Sequence, residues 1–214
     1  GGILNILKTI GCWEAKGLEG YAMSARFKVV VAGCGNMANT WVKYALARKD
    51  TEIVALMDVN DENAKVMADR YGLKCRIYNN LEKAISESGA NLVFDITPPH
   101  AHRDVVITAM KMGCNVFGEK PMASSMEEAR EMLRYSQELG KFYAVMQNRR
   151  YLKNIRAFRD IIESGVIGQP GFICADFFIG PHFGGFRDVM DSPILLDLAI
   201  HTFDQARFIA GADA

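Results

Sequence analysis

Three side chains in this sequence have the chemical types needed to move a proton on and off a hydroxyl: Lys120, Asp197 and His201. Asp197 and His201 stand at i and i+4, which a helix places on one face about one turn apart. A carboxylate so placed orients an imidazole and stabilises its protonated form, as a general base requires. The same spacing suits a purely structural hydrogen-bonded pair, so spacing leaves both readings open. Lys120 lies in Gly118-Glu119-Lys120-Pro121, directly after the apolar run Cys114–Phe117. At the mouth of a sheet an ammonium polarises a substrate hydroxyl or joins in proton transfer, provided desolvation or a neighbouring charge lowers its pKa. A surface Glu119–Lys120 ion pair is the competing reading.

A second set of residues suits phosphate and ribose. Phe27–Ala32 is a short apolar run followed by Gly33-Cys34-Gly35-Asn36-Met37-Ala38, the pattern G-x-G-x-x-A. Gly33 allows a sharp exit from a strand, and Gly35 lets backbone close on a pyrophosphate at a helix N-terminus. Ala38 is small enough for helix to pack on strand. The next apolar run, Glu52–Met57, ends in Asp58, and 58 − 38 places that carboxylate 20 residues after Ala38. An acid at that distance accepts hydrogen bonds from an adenosine ribose, so the order strand, turn, helix, strand, acid reads as a dinucleotide-binding βαβ unit. A carboxylate accepts from a free 2′-hydroxyl and repels a 2′-phosphate, and neither Val59 nor Asn60 supplies a cation. The expected cofactor is therefore NAD rather than NADP, with Lys65 and Arg70 of the next helix the cations that could reach in.

The elements that must position these groups alternate between strand and helix. Helices are expected over Met37–Lys49, from Asp61 to about Tyr71, and over Leu81–Ser88, His100–Met112 and Ser124–Leu139. Between them fall strands at Lys74–Tyr78, Asn91–Ile96, Cys114–Phe117 and Phe142–Met146. With the first two runs this makes six near-continuous apolar strands, as in a parallel sheet covered on both faces. The expected fold is α/β, a Rossmann doubly wound parallel sheet complete near residue 147. Ligands of such sheets sit beyond the carboxyl ends of the strands. After the fourth strand comes Thr97-Pro98-Pro99-His100-Ala101-His102, whose prolines make a stiff ledge able to support a flat ring. Thr97, Pro98 and His102 are cofactor-site candidates there, with a rigid turn carrying solvated histidines as the plain alternative.

Beyond 147 the pattern changes. An amphipathic helix is expected over Asn154–Ser164, a long strand over Gly171–Ile179, a glycine- and proline-rich stretch from Gly180 to Pro193, and a helix over Ile194–Ala210. Residues 1–22 fit poorly with the rest of the chain, because Gly11, Gly17 and Gly20 interrupt any long helix. They read as a leader or a remnant, giving an organisation of 1–22, 23–147 and 148–214. Half the residues are hydrophobic and 25 basic side chains balance 25 acidic ones, which excludes recruitment of nucleic acid or an anionic membrane by overall charge. The five cysteines show no C-x-x-C and no metal spacing, so no metal is expected and reduced thiols in the cytoplasm are.

G-C-G-N-M-A, the Asp58 strand end, T-P-P-H-A-H, G-E-K-P-M-A, N-R-R-Y, S-G-V-I-G-Q-P and D-L-A-I-H-T-F-D occur in that order. Together they resemble the Gfo/Idh/MocA oxidoreductases over residues 25–212. The resemblance implies reversible oxidation of a sugar or polyol hydroxyl by hydride transfer to NAD or NADP. It implies that Lys120 contacts the reacting hydroxyl, that Asp197 assists and that His201 is the acid/base. Glu119 and the Thr97-Pro98 loop would shape the nicotinamide pocket, and Arg187 would contact substrate. It also implies that the family's open, mostly antiparallel α+β sheet, commonly its oligomer interface, has only begun here, at Gly171–Ile179. The chain thus reads as a truncated member with poor or no turnover, its full-length form a homo-oligomer. Two other classes compete. A non-catalytic NAD-binding sensor or scaffold would keep the turn and Asp58 without Lys120, Asp197 and His201 together. A methyltransferase-like fold would not account for Gly118–Pro121 or the late Asp/His pair.

Overall fold

The computed structural model describes residues 26–180, 184–190 and 192–212, so the expectation for 1–22 lies outside the described residues. They divide into two compact units, one ending at Met146 and one beginning at Gln147.

The first unit is built on six strands: β1 (Phe27–Ala32), β2 (Thr51–Met57), β3 (Arg76–Tyr78), β4 (Leu92–Asp95), β5 (Asn115–Gly118) and β6 (Tyr143–Val145). Their order is β3-β2-β1-β4-β5-β6 and every pairing is parallel. This is the doubly wound arrangement in which the strand order reverses beside β1, opening a crevice between β1 and β4. Five helices join the strands: α1 (Ala38–Leu46), α2 (Asp61–Tyr71), α3 (Leu81–Ser88), α4 (His102–Lys111) and α5 (Met126–Leu139).

Strand periodicity explains the two layers. Val30 and Ala32 of β1 face one side with Ala55, Val93 and Val116, where they meet Ala84 of α3, Val106 and Met110 of α4 and Met132 of α5. Val29 and Val31 face the other side with Leu56 and Phe94, against Trp41 and Val42 of α1 and Met67 of α2. Because β1 is covered on both faces, Val29, Val30, Val31 and Ala32 are all 0% exposed, each valine contributing on the order of 1.5–3 kcal/mol. Asn60, Asn80 and Ser125 cap α2, α3 and α5 by accepting from Glu62, Lys83 and Glu128 N–H groups. Helix α1 has no such side-chain cap and no acid in its first turn among the described residues.

The second unit holds a 3₁₀ turn at Arg149–Tyr151, α6 (Lys153–Glu163), a 3₁₀ turn at Gly185–Val189, a π turn at Ile194–Leu198 and α7 (Ala199–Ala210). Two expectations are corrected here. The strand expected over Gly171–Ile179 is not formed: residues 171–180 have no regular structure and are mostly exposed. A strand requires a neighbour for its backbone N–H and C=O groups, and among the described residues no other strand lies in this unit. The helix expected over Ile194–Ala210 begins as a π turn, which widens the spacing before α7. Among the described residues no helix is long and apolar enough to cross a membrane.

Candidate active site

At the end of β1 the glycine turn is set by contact as well as by dihedral angle. Gly33 has φ of +89°, and a Cβ there would lie 2.5 Å from the Ile96 carbonyl oxygen and 2.8 Å from Thr97 N. Only glycine lets this turn pass the end of β4. Gly35 is the opposite case: a Cβ on it would meet nothing within 4 Å, so its approach side is open. Ala38 is fully buried where α1 packs on the sheet. Asn36 and Met37 precede α1 directly, in the turn where backbone N–H groups have no intrahelical acceptor four residues back. An open backbone surface at an uncapped helix start is the cradle a pyrophosphate needs, and these residues fit a dinucleotide.

Asp58 caps β2 and is 8% exposed. Its Oδ2 accepts from Cys34 N–H at 2.8 Å, while Oδ1 accepts from Asn60 N–H at 2.9 Å and from the Asn63 side chain at 3.2 Å. The acid therefore holds the glycine turn in place. The Cys34 thiol beside it is pushed up to about 12, by burial first and by the Asp58 charge second. Lys65 forms an exposed pair with Glu62 at 3.6 Å, and Arg70 donates to Asn39 at 2.7 Å.

Past β4, Thr97 donates its hydroxyl to Asp95 Oδ1 at 2.6 Å and its N–H to the same oxygen at 3.2 Å. His102 is 1% exposed, and its Nδ1 lies 2.8 Å from Asp95 Oδ2. His102 is neither solvated nor placed on the surface of the loop, because the fully buried Asp95 carboxylate draws it inward and fixes the start of α4. Pro98, by contrast, is exposed. Burial, and after it the Asp95 charge, raises the pKa of the nearby Tyr143 hydroxyl.

Past β5, Glu119 is 8% exposed and Lys120 half-buried. Glu119 N–H continues the ladder to Asp95 O at 2.9 Å. Its side chain accepts from the Trp41 indole N–H at 2.8 Å and from Lys120 N–H at 3.2 Å. The surface ion-pair reading thus fails for Glu119, which is buried against α1.

In the second unit Asp197 and His201 are 1% and 5% exposed. Asp197 lies in the π turn and accepts from Arg187 Nε at 2.7 Å, so Arg187 neutralises a buried carboxylate. Sequence reasoning did not find Arg150. Arg150 forms a two-pronged ion pair with Asp204, Nε to Oδ2 at 2.9 Å and Nη2 to Oδ1, which ties the Arg149–Tyr151 turn to α7. In the sequence Arg150 lies within N-R-R-Y and Asp204 closes D-L-A-I-H-T-F-D, but nothing local pairs the two.

Residues 27–147 match the model of an oxidoreductase family with an NAD-binding Rossmann fold, GFO_IDH_MocA. The chain belongs to this family of oxidoreductases. It is 30% identical over 193 residues to a 1,5-anhydro-D-fructose reductase of Ensifer adhaerens, covering 85% of this chain and 56% of that protein. It is 27% identical over 197 residues to a D-glucoside 3-dehydrogenase of Escherichia coli K12, covering 89% and 56%. Among solved structures, an oxidoreductase from Agrobacterium radiobacter in complex with NAD+, L-tartaric acid and magnesium superposes with a TM-score of 0.73. That match has 26% identity and covers 87% of this chain and 55% of the other. The chain thus spans about half the length of the relatives it matches.

Proposed function

We propose that this chain carries the cofactor-binding and proton-handling residues of a dehydrogenase acting on a sugar or polyol hydroxyl. One observation supports it most: within a single unit, the carboxyl ends of β1, β2, β4 and β5 present the open Gly35 backbone, Asp58, Thr97-Pro98 and Glu119-Lys120. Gly33, Gly35, Asn36, Met37 and Ala38 would hold the pyrophosphate, Asp58 the adenosine ribose, and Thr97, Pro98 and Glu119 the nicotinamide end. NAD, when bound, supplies the hydride acceptor for alcohol oxidation. In the first unit the Lys120 ammonium would donate a hydrogen bond to a substrate oxygen; the second unit carries in His201 an imidazole of the type that takes a hydroxyl proton. Asp197 orients that imidazole, with Arg187 holding the carboxylate in place. The relatives named for sugar chemistry support a carbohydrate substrate. We place the protein in the cytoplasm and read it as a homo-oligomer.

Asp58 disfavours a 2′-phosphate by charge, and Arg70 is engaged by Asn39, so NAD is preferred over NADP. Calorimetry with NAD, NADP and S-adenosylmethionine tests the reading. NAD should bind at least about tenfold more tightly than NADP, a difference of ~1.4 kcal/mol, and S-adenosylmethionine not at all. Absence of NAD binding would overturn it.

A further inference from the structure

We infer that Trp41 is a positioning residue for Lys120, acting through the Glu119 carboxylate; this rests on the proposed role of Lys120. Trp41 stands on the inner face of α1, the helix that the glycine turn opens, and is 5% exposed. Its ring packs on Phe94 of β4 with centroids 4.9 Å apart, which fixes the direction of the indole N–H. That N–H donates to Glu119 Oε1 at 2.8 Å. The other oxygen, Oε2, accepts the backbone N–H of Lys120 at 3.2 Å. One buried carboxylate thereby bridges two elements, with one oxygen on α1 and one on the peptide that carries the lysine.

The chemistry of the bridge makes it directional. An ionised carboxylate accepts only, and a carboxylate that is 8% exposed is costly unless donors reach both oxygens. Glu119 is held from the main-chain side as well, since its N–H closes on Asp95 O at 2.9 Å. Loss of the indole donor leaves Oε1 short of a partner in a poorly solvated place. The carboxylate then turns toward water and takes its second bond, and the Lys120 peptide, with it. A ring that only filled the space above Phe94 would have no such effect. Phenylalanine fills most of the same volume and lacks the donor, so the two roles separate in one substitution.

The test uses the full chain with its lysines reductively methylated with carbon-13, and Lys120 assigned by Lys120→Arg. In the unaltered protein the Lys120 methyl signal should stand apart from those of exposed lysines. In Trp41→Phe it should move at least halfway toward them while the rest of the spectrum stays folded. Glu119→Gln guards against a Trp41 variant that does not fold. If its amide oxygen keeps the indole bond, its amino group cannot accept from Lys120 N–H, so the same displacement is expected. The double variant should add nothing further, because both changes break one chain of contacts. A Lys120 signal unmoved in both single variants overturns the inference. The parent reading fails on a different axis: if NAD leaves the Lys120 signal of the unaltered protein unmoved, Lys120 is not at the cofactor, whatever Trp41 does.

Discussion

At the scale of single residues, the glycine turn shows that two glycines in one motif do different work. Gly33 is required by the protein itself, since its φ of +89° and the Ile96 carbonyl 2.5 Å from a would-be Cβ both exclude a side chain. Gly35 is required only by whatever approaches it, since nothing lies within 4 Å of its would-be Cβ. Gly33→Ala should therefore lose more than about 3 kcal/mol in urea unfolding, because the strained dihedral alone costs on the order of 1–3 kcal/mol and the backbone it meets cannot move aside. Gly35→Ala should unfold within about 0.5 kcal/mol of the unaltered protein, yet bind NAD at least about tenfold more weakly by calorimetry. Equal stability losses at both positions would contradict this division. The pattern G-x-G-x-x-A told which residues matter here; which of them serves the fold and which the ligand depended on Ile96, some sixty residues away in sequence.

At the scale of elements, what was legible came from local rules. The apolar runs that became β1 to β6, the helix ends that the structure closes at Gly72, Gly89 and Gly140, and the carboxylate at the end of β2 are all marked by residue types within a few positions, although the strands themselves pair over long distances. The strand expected over Gly171–Ile179 depended on a partner instead, and apolar content alone could not supply one. The pairing of Asp197 with Arg187 was equally hidden, because they stand ten positions apart and no helical spacing applies. The Arg150–Asp204 pair, 54 residues apart, is the clearest case. Its role is testable: Asp204→Ala strips the guanidinium of its partner and should destabilise the packing of α7 on the Arg149–Tyr151 turn by about 1–3 kcal/mol, lower than for a fully buried pair. The discount reflects Arg150 being 31% exposed, where water screens part of the loss. Amide hydrogen exchange along α7 reads it directly, and Arg150→Lys should fail to restore what a two-pronged contact gave. Unchanged protection across Ala199–Ala210 would show that packing around Phe208, rather than the ion pair, holds the helix.

At the scale of the whole molecule, two facts act together on behaviour in solution. The chain has no net charge at pH 7, with 25 basic and 25 acidic side chains, so no long-range repulsion keeps copies apart. The second unit also displays large apolar side chains, with Val166 75%, Phe172 87% and Phe178 91% exposed. Apolar groups that cluster in sequence and face water are the usual seed of association between chains, and the stretch 171–180, which joins no sheet, adds open backbone groups to them. The double substitution Phe172→Ser and Phe178→Ser removes two aromatic rings that bury nothing. It should leave thermal unfolding of the first unit in place while lowering both the weight-average sedimentation coefficient and the binding of a hydrophobic dye. Because neutrality permits the contacts and the rings supply the attraction, adding salt should leave association of the unaltered chain intact, since screening has no net repulsion to relieve. Association that dissolves in salt, or that survives loss of both rings, would assign it to paired surface charges instead.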